Sequence, residues 1–131
     1  MEAVKPGSAC SVLVVDDDPT NLKFTRVLLE YEGYSVRVAS SAEEALAMLK
    51  TFQPRLILLD LRLPGMDGFE LARRIRADPA TAGALIVAAT ACTTRADEEK
   101  ALAAGCNAYV SKPLDTRALA RLLAASPPVG P

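Results

Sequence analysis

Acidic side chains directly follow two short apolar runs of the chain. Asp16, Asp17 and Asp18 come after the first run, and Asp60 comes after the third. Crowded carboxylates repel one another, so a proton or a cation must join them if they meet in the fold. Oxygen ligands without sulfur or imidazole suit a hard ion such as Mg²⁺. An aspartate beside such an ion and a lysine can act as a nucleophile toward a phosphoryl group.

Two other apolar runs are followed by groups that can stabilise a phosphoryl group. Thr90 follows the fourth run and Lys112 follows the fifth. An ammonium neutralises charge on the equatorial oxygens during phosphoryl transfer, and a hydroxyl can donate a hydrogen bond to one of them. Single residues have simpler interpretations, because Asp18 before Pro19 is typical of a helix N-cap and Thr90 can bond its local backbone. The placement of all these groups directly after strands favours one shared site.

Five short apolar runs alternate with five amphipathic stretches, and these elements must position the site. The runs cover residues 12–15, 36–39, 56–59, 85–88 and 108–110. The first, third and fourth are apolar on both faces, as in the central strands of a parallel sheet covered by helices. The second carries Arg37 between two valines, which suits an edge strand. The pattern predicts an α/β protein with a doubly wound, five-stranded parallel sheet, whose function gathers at the carboxyl ends of the strands.

The amphipathic stretches have recognisable ends and apolar faces. The residues expected to cap the five helices are Asp18, Ser41 (in a capping box with Glu44), Asp67, Thr94 and Asp115. Glycines are expected to end the first helix at Gly33 and the fourth at Gly105. The residues expected to form the apolar stripe of the first helix are Phe24, Val27, Leu28 and Tyr31. The fourth helix is rich in alanine, and Leu102 is its main expected anchor. All three phenylalanines, Phe24, Phe52 and Phe69, are expected to pack in the core or between helices.

Composition excludes several classes of function. The 131 residues suffice for one domain, and 15 basic against 16 acidic residues provide no basic patch for nucleic acid or a membrane surface. The absence of histidine removes every mechanism that needs a histidine base or phosphocarrier on this chain. Cys10, Cys92 and Cys106 have no CxxC spacing, which argues against disulfides and zinc. We expect a reduced, cytoplasmic protein without a signal peptide or membrane span.

Together these motifs resemble the receiver domain of two-component response regulators. The segments that carry the resemblance are residues 14–17 (VVDD), 58–68 (LLDLRLPGMDG), 89–91 (ATA) and 109–113 (YVSKP). The stretch 105–109 (GCNAY) is also similar to single-domain, DivK-like receivers. We therefore expect a flavodoxin-like (βα)5 fold with strand order 2-1-3-4-5. The expected layout is a flexible leader at 1–9, a receiver domain at 10–125 and a flexible tail at 126–131.

The resemblance implies a role for each acidic residue. Asp60 is the expected phosphoacceptor, which takes a phosphoryl group from a histidine kinase or a histidine phosphotransfer protein. Asp17 and Asp60 are expected to bind Mg²⁺ directly, and Asp16 through a water. The backbone carbonyl of Arg62 is expected to complete the protein ligands. The implied protein is a switch that acts on a downstream protein target, and not an enzyme beyond its own phosphorylation and dephosphorylation.

The resemblance also implies how the phosphoryl group is held and sensed. Lys112 is expected to pair with one phosphoryl oxygen, and the Thr90 hydroxyl and Ala91 amide with another. Thr90 and Tyr109 are the expected switch residues. A cis peptide is expected between Lys112 and Pro113, since the cis form costs least before proline.

Two further expectations concern lifetime and output. Arg62 and Cys92 occupy the positions that tune phosphoryl lifetime in the family, and neither suits holding an attacking water. We therefore expect slow self-dephosphorylation. The poorly anchored fourth helix is the element expected to move. Output is expected on the face of the fourth helix, fifth strand and fifth helix, around the residues Lys100, Tyr109, Arg117 and Arg121.

Three alternatives stay open on sequence grounds. Asp16, Asp18 and Thr20 match the DxDxT pattern of haloacid-dehalogenase-like phosphatases, with Asp16 as nucleophile and Asp18 as acid-base. The short chain, and Thr90 where that class has an acidic pair, weigh against this alternative. A purely structural receiver would keep the fold without phosphorylation. A flavin-binding module of the same fold is disfavoured, because no aromatic-rich loops follow the strands.

Overall fold

The structure is a computed structural model that describes residues 10–63, 65–90, 94–112 and 115–125. The expected flexible leader and tail lie outside these residues. The strands are β1 (Ser11–Val15), β2 (Ser35–Ala39), β3 (Leu56–Leu59), β4 (Leu85–Thr90) and β5 (Ala108–Ser111). The helices are α1 (Pro19–Tyr31), α2 (Ala42–Met48), α3 (Gly68–Ala77), α4 (Arg95–Ala103) and α5 (Thr116–Ala125). No helix in the described ranges is long and apolar enough to cross a membrane.

The five strands form one parallel sheet in the order β2-β1-β3-β4-β5. The predicted fold and strand order are confirmed. Strands β3 and β4 are buried along their whole length, and β1 is buried from its second residue onward. The edge strand β2 is exposed at Ser35 and Arg37. An unbroken apolar run is therefore the signature of a strand covered on both faces.

Each face of the sheet has its own hydrophobic core. On one face, α2, α3 and α4 cover alternate strand residues such as Val15, Leu59 and Ala88. On the other face, α1 and α5 cover the intervening residues such as Val14 and Leu58. Because successive strand side chains point to opposite faces, each central strand contributes to both cores. The helices packed on both faces hold the strands in place. They thereby also hold the polar residues that follow the strands at their carboxyl ends.

The predicted helix starts are confirmed where the structure describes them. Asp18, Asp67 and Thr94 each accept a hydrogen bond from a backbone N–H in the first turn of their helices. The capping box of α2 differs in one detail. The Ser41 hydroxyl accepts from the Glu44 N–H, but the Glu44 carboxylate accepts from the N–H of Ser40. Ser40, the residue before the N-cap, therefore takes part in capping the helix.

The predicted apolar stripe of α1 is wrong. The residues that face the sheet are Leu22 and Leu29, whereas Phe24, Val27 and Tyr31 are 59%, 53% and 71% exposed. Asp18 donates its N–H to the Asp16 carboxylate just before the helix begins, so the start of α1 is fixed in rotation. Two leucines separated by seven residues, or two helical turns, then meet the sheet. The larger apolar set is left facing solvent.

The predicted anchor of α4 is also wrong, because Leu102 is 46% exposed and Ala101 is the buried residue of the helix. The end of α4 is held instead by Arg76 on α3. Its guanidinium donates to the carbonyl of Gly105 and to the Asn107 side chain. Gly105 has φ of 113°, a backbone conformation that favours glycine. The helix is therefore fixed at its C-terminal end and weakly packed elsewhere.

Candidate functional site

The register of the sheet places Asp16 beside Asp60. Val15 pairs with Leu59, so the residues that follow them are neighbours at the same edge. The Asp60 N–H donates to the Val15 carbonyl at 2.9 Å, which continues the β1–β3 ladder by one step. The two aspartates are therefore positioned by backbone pairing and not by loop conformation alone.

The fifth strand brings Lys112 to the same place. Its N–H donates to the Thr90 carbonyl at 2.9 Å, which extends the β4–β5 ladder. Its Nζ lies 2.8 Å from Asp16 Oδ2 and 3.0 Å from Asp60 Oδ2. Burial alone lowers the pKa of Lys112, but hydrogen bonds and charge from both carboxylates outweigh it, and the pKa is raised. The lysine is therefore an ammonium held between two aspartates.

Backbone N–H groups hold the remaining oxygen of each aspartate. Asp18 donates its N–H to Asp16 Oδ1 at 3.0 Å, and Arg62 donates its N–H to Asp60 Oδ1 at 2.9 Å. The side chains of Asp16 and Asp60 are only 6% and 13% exposed. Each carboxylate is thus anchored on one side by the backbone and on the other by the ammonium.

Three carboxylates are close enough to share one cation. One oxygen from each of Asp16, Asp17 and Asp60 lies within 4.8 Å of the others. Asp16 is buried, Asp60 is half-buried and Asp17 is exposed, so the cluster opens toward solvent on the Asp17 side. A donor set made only of carboxylate oxygens fits a hard divalent ion. The contribution of the Arg62 carbonyl remains a prediction.

The predicted switch residues lie on the two strands beside the site. Thr90 is the last residue of β4 and is 2% exposed. Tyr109 is half-buried on β5 and packs against the core under α2, α3 and α4. The predicted phosphate contact of Ala91, the cis peptide before Pro113 and the role of Cys92 fall outside the described residues.

Gly68 is part of the site, although only its place in the motif marked it in the sequence. A Cβ at Gly68 would lie 2.6 Å from the Asp60 carbonyl oxygen and 2.6 Å from Leu61 Cα. The first turn of α3 therefore packs directly against the backbone of the predicted phosphoacceptor. Asp60 and Gly68 are eight residues apart in the sequence, and that spacing does not predict their contact.

A cavity of about 330 Å³ opens beside the three charged residues. Its lining includes Asp16, Asp60 and Lys112, apolar residues of β1, β3 and β4, and Asn21, Phe24 and Thr25 of α1. Phe24 also belongs to the exposed apolar stripe of α1. The cavity thus extends from Asp16 and Asp60 to that stripe, because Phe24 does not pack inward as its sequence pattern predicted.

Fold and site together define the class of protein. A family model described as "Response regulator receiver domain" matches residues 12–124, and the chain belongs to this family. The predicted recognition is confirmed, and nothing supports the phosphatase alternative. In agreement, the Asp18 carboxylate accepts from the Thr20 N–H as a helix cap.

Individual relatives agree with the family. The chain is 36% identical over 104 residues to the polar-differentiation response regulator DivK of Brucella ovis, covering 79% of this chain and 85% of that protein. A CheY-like receiver domain protein of Methanospirillum hungatei superposes with a TM-score of 0.79 at 33% identity, covering 89% and 92%. The receiver domain of sensor histidine kinase PA1611 from Pseudomonas aeruginosa has a TM-score of 0.79 at 33% identity, covering 88% and 95%. That structure has a magnesium ion coordinated in its active site cleft.

Proposed function

We propose that Asp60 accepts a phosphoryl group from a phosphohistidine of a histidine kinase or histidine phosphotransfer protein, in a Mg²⁺-dependent reaction. The observation that carries the proposal is the Lys112 ammonium, which contacts both Asp16 and Asp60 at the carboxyl edge of the sheet. A carboxylate nucleophile with an adjacent cation is what phosphoryl transfer to an aspartate requires.

The proposed transfer uses the residues of this site in distinct ways. An oxygen of Asp60 attacks phosphorus, the P–N bond breaks, and the electron pair of that bond leaves with the donor imidazole. Asp60 is held in place by the Arg62 N–H, which fixes one carboxylate oxygen. Lys112 is close enough to neutralise an oxygen of the incoming group, and Thr90 and the Ala91 amide are proposed to bind another.

The proposed cofactor is Mg²⁺, held by Asp16, Asp17, Asp60 and the Arg62 carbonyl. When bound, the ion neutralises charge on the phosphoryl oxygens during transfer. The oxygen-only donors and their mutual distance within 4.8 Å support this assignment. Magnesium in the cleft of the Pseudomonas aeruginosa receiver supports it further.

The proposed donor docks on α1, and the proposed output face is formed by α4, β5 and α5. Phe24 belongs to the exposed apolar stripe of Phe24, Val27 and Tyr31 and also lines the cavity that contains Asp60, which supports donor docking there. Phosphorylation is proposed to draw Thr90 inward and to reorient Tyr109. The residues proposed around the output face are Lys100, Tyr109, Arg117 and Arg121. The cytoplasmic setting remains a prediction from composition.

The test is labelling by a small phosphodonor. Incubation with acetyl phosphate and Mg²⁺, followed by intact mass and peptide mapping, should add one phosphoryl group on Asp60. Asp60→Asn should abolish labelling and keep the circular dichroism spectrum, whereas Asp97→Asn on α4 should label normally. Labelling at Asp16, or turnover of a phosphomonoester that survives Asp60→Asn, would instead favour the phosphatase alternative.

A further inference from the structure

The cavity beside Asp60 opens one of the two hydrophobic cores. The side chains of Val14, Leu58 and Ala89 belong to the core that α1 and α5 cover, and all three line the cavity. They are 3%, 4% and 5% exposed, whereas Val12, two residues earlier on β1, is fully buried. Apolar surface of this core is therefore accessible at the carboxyl ends of the strands.

The cavity lining combines charged and apolar groups. Asp16, Asp60 and Lys112 supply the charge, and every other lining side chain in the described part of the chain is uncharged. At about 330 Å³, the cavity lies at the lower end of the range of small-molecule sites, about 300–1,000 Å³. Such sites are mostly apolar, with a few polar groups that fix the orientation of the ligand. The cavity therefore suits a compact ligand that joins a phosphoryl group to a short uncharged chain.

An acyl phosphate is such a ligand, and it also has the chemistry to react. In the transfer, an oxygen of Asp60 attacks phosphorus, the P–O bond to the acyl group breaks, and the electron pair of that bond leaves with the carboxylate. Phosphorylated Asp60 is itself an acyl phosphate, so one mixed anhydride replaces another and no further reactant is needed. The Asn21 amide and the Thr25 hydroxyl, which line the cavity, are donors available to the acyl carbonyl oxygen. The alkyl chain is then the part of the donor left for the apolar lining.

We propose that this cavity is an acyl-chain subsite, so that acyl phosphates of three or four carbons phosphorylate Asp60 faster than acetyl phosphate does. The inference rests on the proposed function, because it takes Asp60 as the phosphoacceptor. It adds a preference among small donors that is set by Val14, Leu58 and Ala89. The chain contacts this lining both before and during transfer, so the gain should appear as a lower KM with an unchanged maximal rate.

The experiment compares labelling of the wild type by acetyl, propionyl and butyryl phosphate in the presence of Mg²⁺. The three donors share one reacting group and differ only in methylenes, and their spontaneous hydrolysis is measured in parallel. Each fully buried methylene is worth up to about fourfold in binding. We therefore expect butyryl phosphate to label about fivefold faster than acetyl phosphate, or more, at low donor concentration. Intact mass gives the rates, and peptide mapping locates the label.

Two valines of β1 provide a matched pair of variants. Val14→Thr keeps the shape of the side chain but places a hydroxyl in the cavity lining, whereas Val12→Thr places one in the same core outside the cavity. Both should lose stability, but only Val14→Thr should lower the butyryl-to-acetyl rate ratio, by about twofold or more. This ratio does not depend on the folded fraction, so it can be measured on an unstable variant. Phe24→Ala truncates an exposed lining residue and should lower the ratio with little loss of stability.

Binding without transfer gives a second readout. Butylphosphonate carries a P–C bond in place of the P–O bond that breaks, so it occupies the cavity while Asp60 stays unmodified. With Mg²⁺ present, it should shift the methyl NMR signals of Val14 and Leu58 and leave those of Val12 in place. Methylphosphonate, which lacks the chain, should shift the Val14 and Leu58 signals much less.

The outcomes separate the inference from the proposed function. If no donor labels Asp60, both proposals are overturned. If acetyl phosphate labels Asp60 but the longer donors are no faster, only the subsite is overturned. A rate ratio that Val14→Thr leaves unchanged, or that Val12→Thr lowers equally, also overturns the subsite alone. The same holds if butylphosphonate does not shift the Val14 and Leu58 signals.

Discussion

Gly68 lies against the backbone of Asp60, so closely that a Cβ at Gly68 would be 2.6 Å from the Asp60 carbonyl oxygen. The Gly68 N–H also donates to the Leu61 carbonyl at 3.2 Å. The first turn of α3 and the proposed phosphoacceptor therefore form one rigid unit. The absence of a side chain at this position is a requirement of the site.

We expect Gly68→Ala to displace Asp60 from its partners. Backbone atoms cannot yield as a flexible side chain can, so the substitution should cost about 1–3 kcal/mol of stability. Labelling by acetyl phosphate should slow by about tenfold or more, because small misplacements of a reacting group reduce rates strongly. Urea unfolding and the time course of labelling by intact mass measure the two effects.

Gly105→Ala is the matched control for that variant. A Cβ there would lie 2.5 Å from Arg76 Cγ, and the φ of 113° is strained for alanine. Its stability should fall as well, but its labelling rate should match that of the wild type because Gly105 follows α4, before β5 begins. Equal slowing in both variants would mean that lost stability, and not the displacement of Asp60, explains the Gly68 result.

The two faces of α1 should respond differently to truncation. Leu29 is fully buried, so Leu29→Ala should cost about 2–5 kcal/mol of unfolding free energy. Val27 is 53% exposed, so Val27→Ala should change it by less than about 0.5 kcal/mol. Urea denaturation of both variants measures this difference. A larger loss for Val27→Ala would restore the inward orientation that the sequence indicated.

Cys106 should make stability fall at high pH. Burial raises the pKa of this thiol to about 11, although nearby Arg76 lowers it in part. A raised pKa in the folded state gives stability that is present below about pH 9 and is lost as the pH rises toward 11. Cys106→Ala should therefore lose less unfolding free energy than the wild type between these pH values, by up to about 3 kcal/mol. Parallel pH profiles from urea unfolding would contradict this prediction.

The phosphorylated protein should keep its label for long periods. Arg62 is exposed beside Asp60, and its side chain cannot act as the carboxylate or amide that would hold an attacking water. Protein labelled with acetyl phosphate and freed of donor should retain the label with Mg²⁺ for minutes or longer, as followed by intact mass. Arg62→Asn should shorten that time. Loss of label from the wild type within seconds contradicts the prediction.

The sheet and the meeting of its polar residues could be predicted because they depend on short-range patterns. The run of Leu56–Leu59 is apolar on both faces, which indicates a central strand, and Asp60 follows it directly. Parallel register then determines that Asp16 and Asp60 are neighbours. The proximity of Lys112 follows from the same rule applied to β5.

Helix orientation could not be predicted, because α1 has two apolar faces. Leu22 and Leu29 lie on one face, and Phe24 and Val27 lie on the other. Hydrophobicity alone favoured the larger set, whereas the hydrogen bond from the Asp18 N–H to the Asp16 carboxylate fixes the rotation of the helix. The contact of Gly68 with Asp60 was missed for a related reason, since close backbone approach leaves no periodic signal in a sequence.

The bond between Lys112 and Asp16 joins residues 96 positions apart. A ribosome-bound chain that has emerged only through β4 already contains Asp16, Asp17 and Asp60, but it lacks the ammonium that completes the constellation. The constellation of Asp16, Asp60 and Lys112 is therefore complete only after β5 has been made and has joined the sheet.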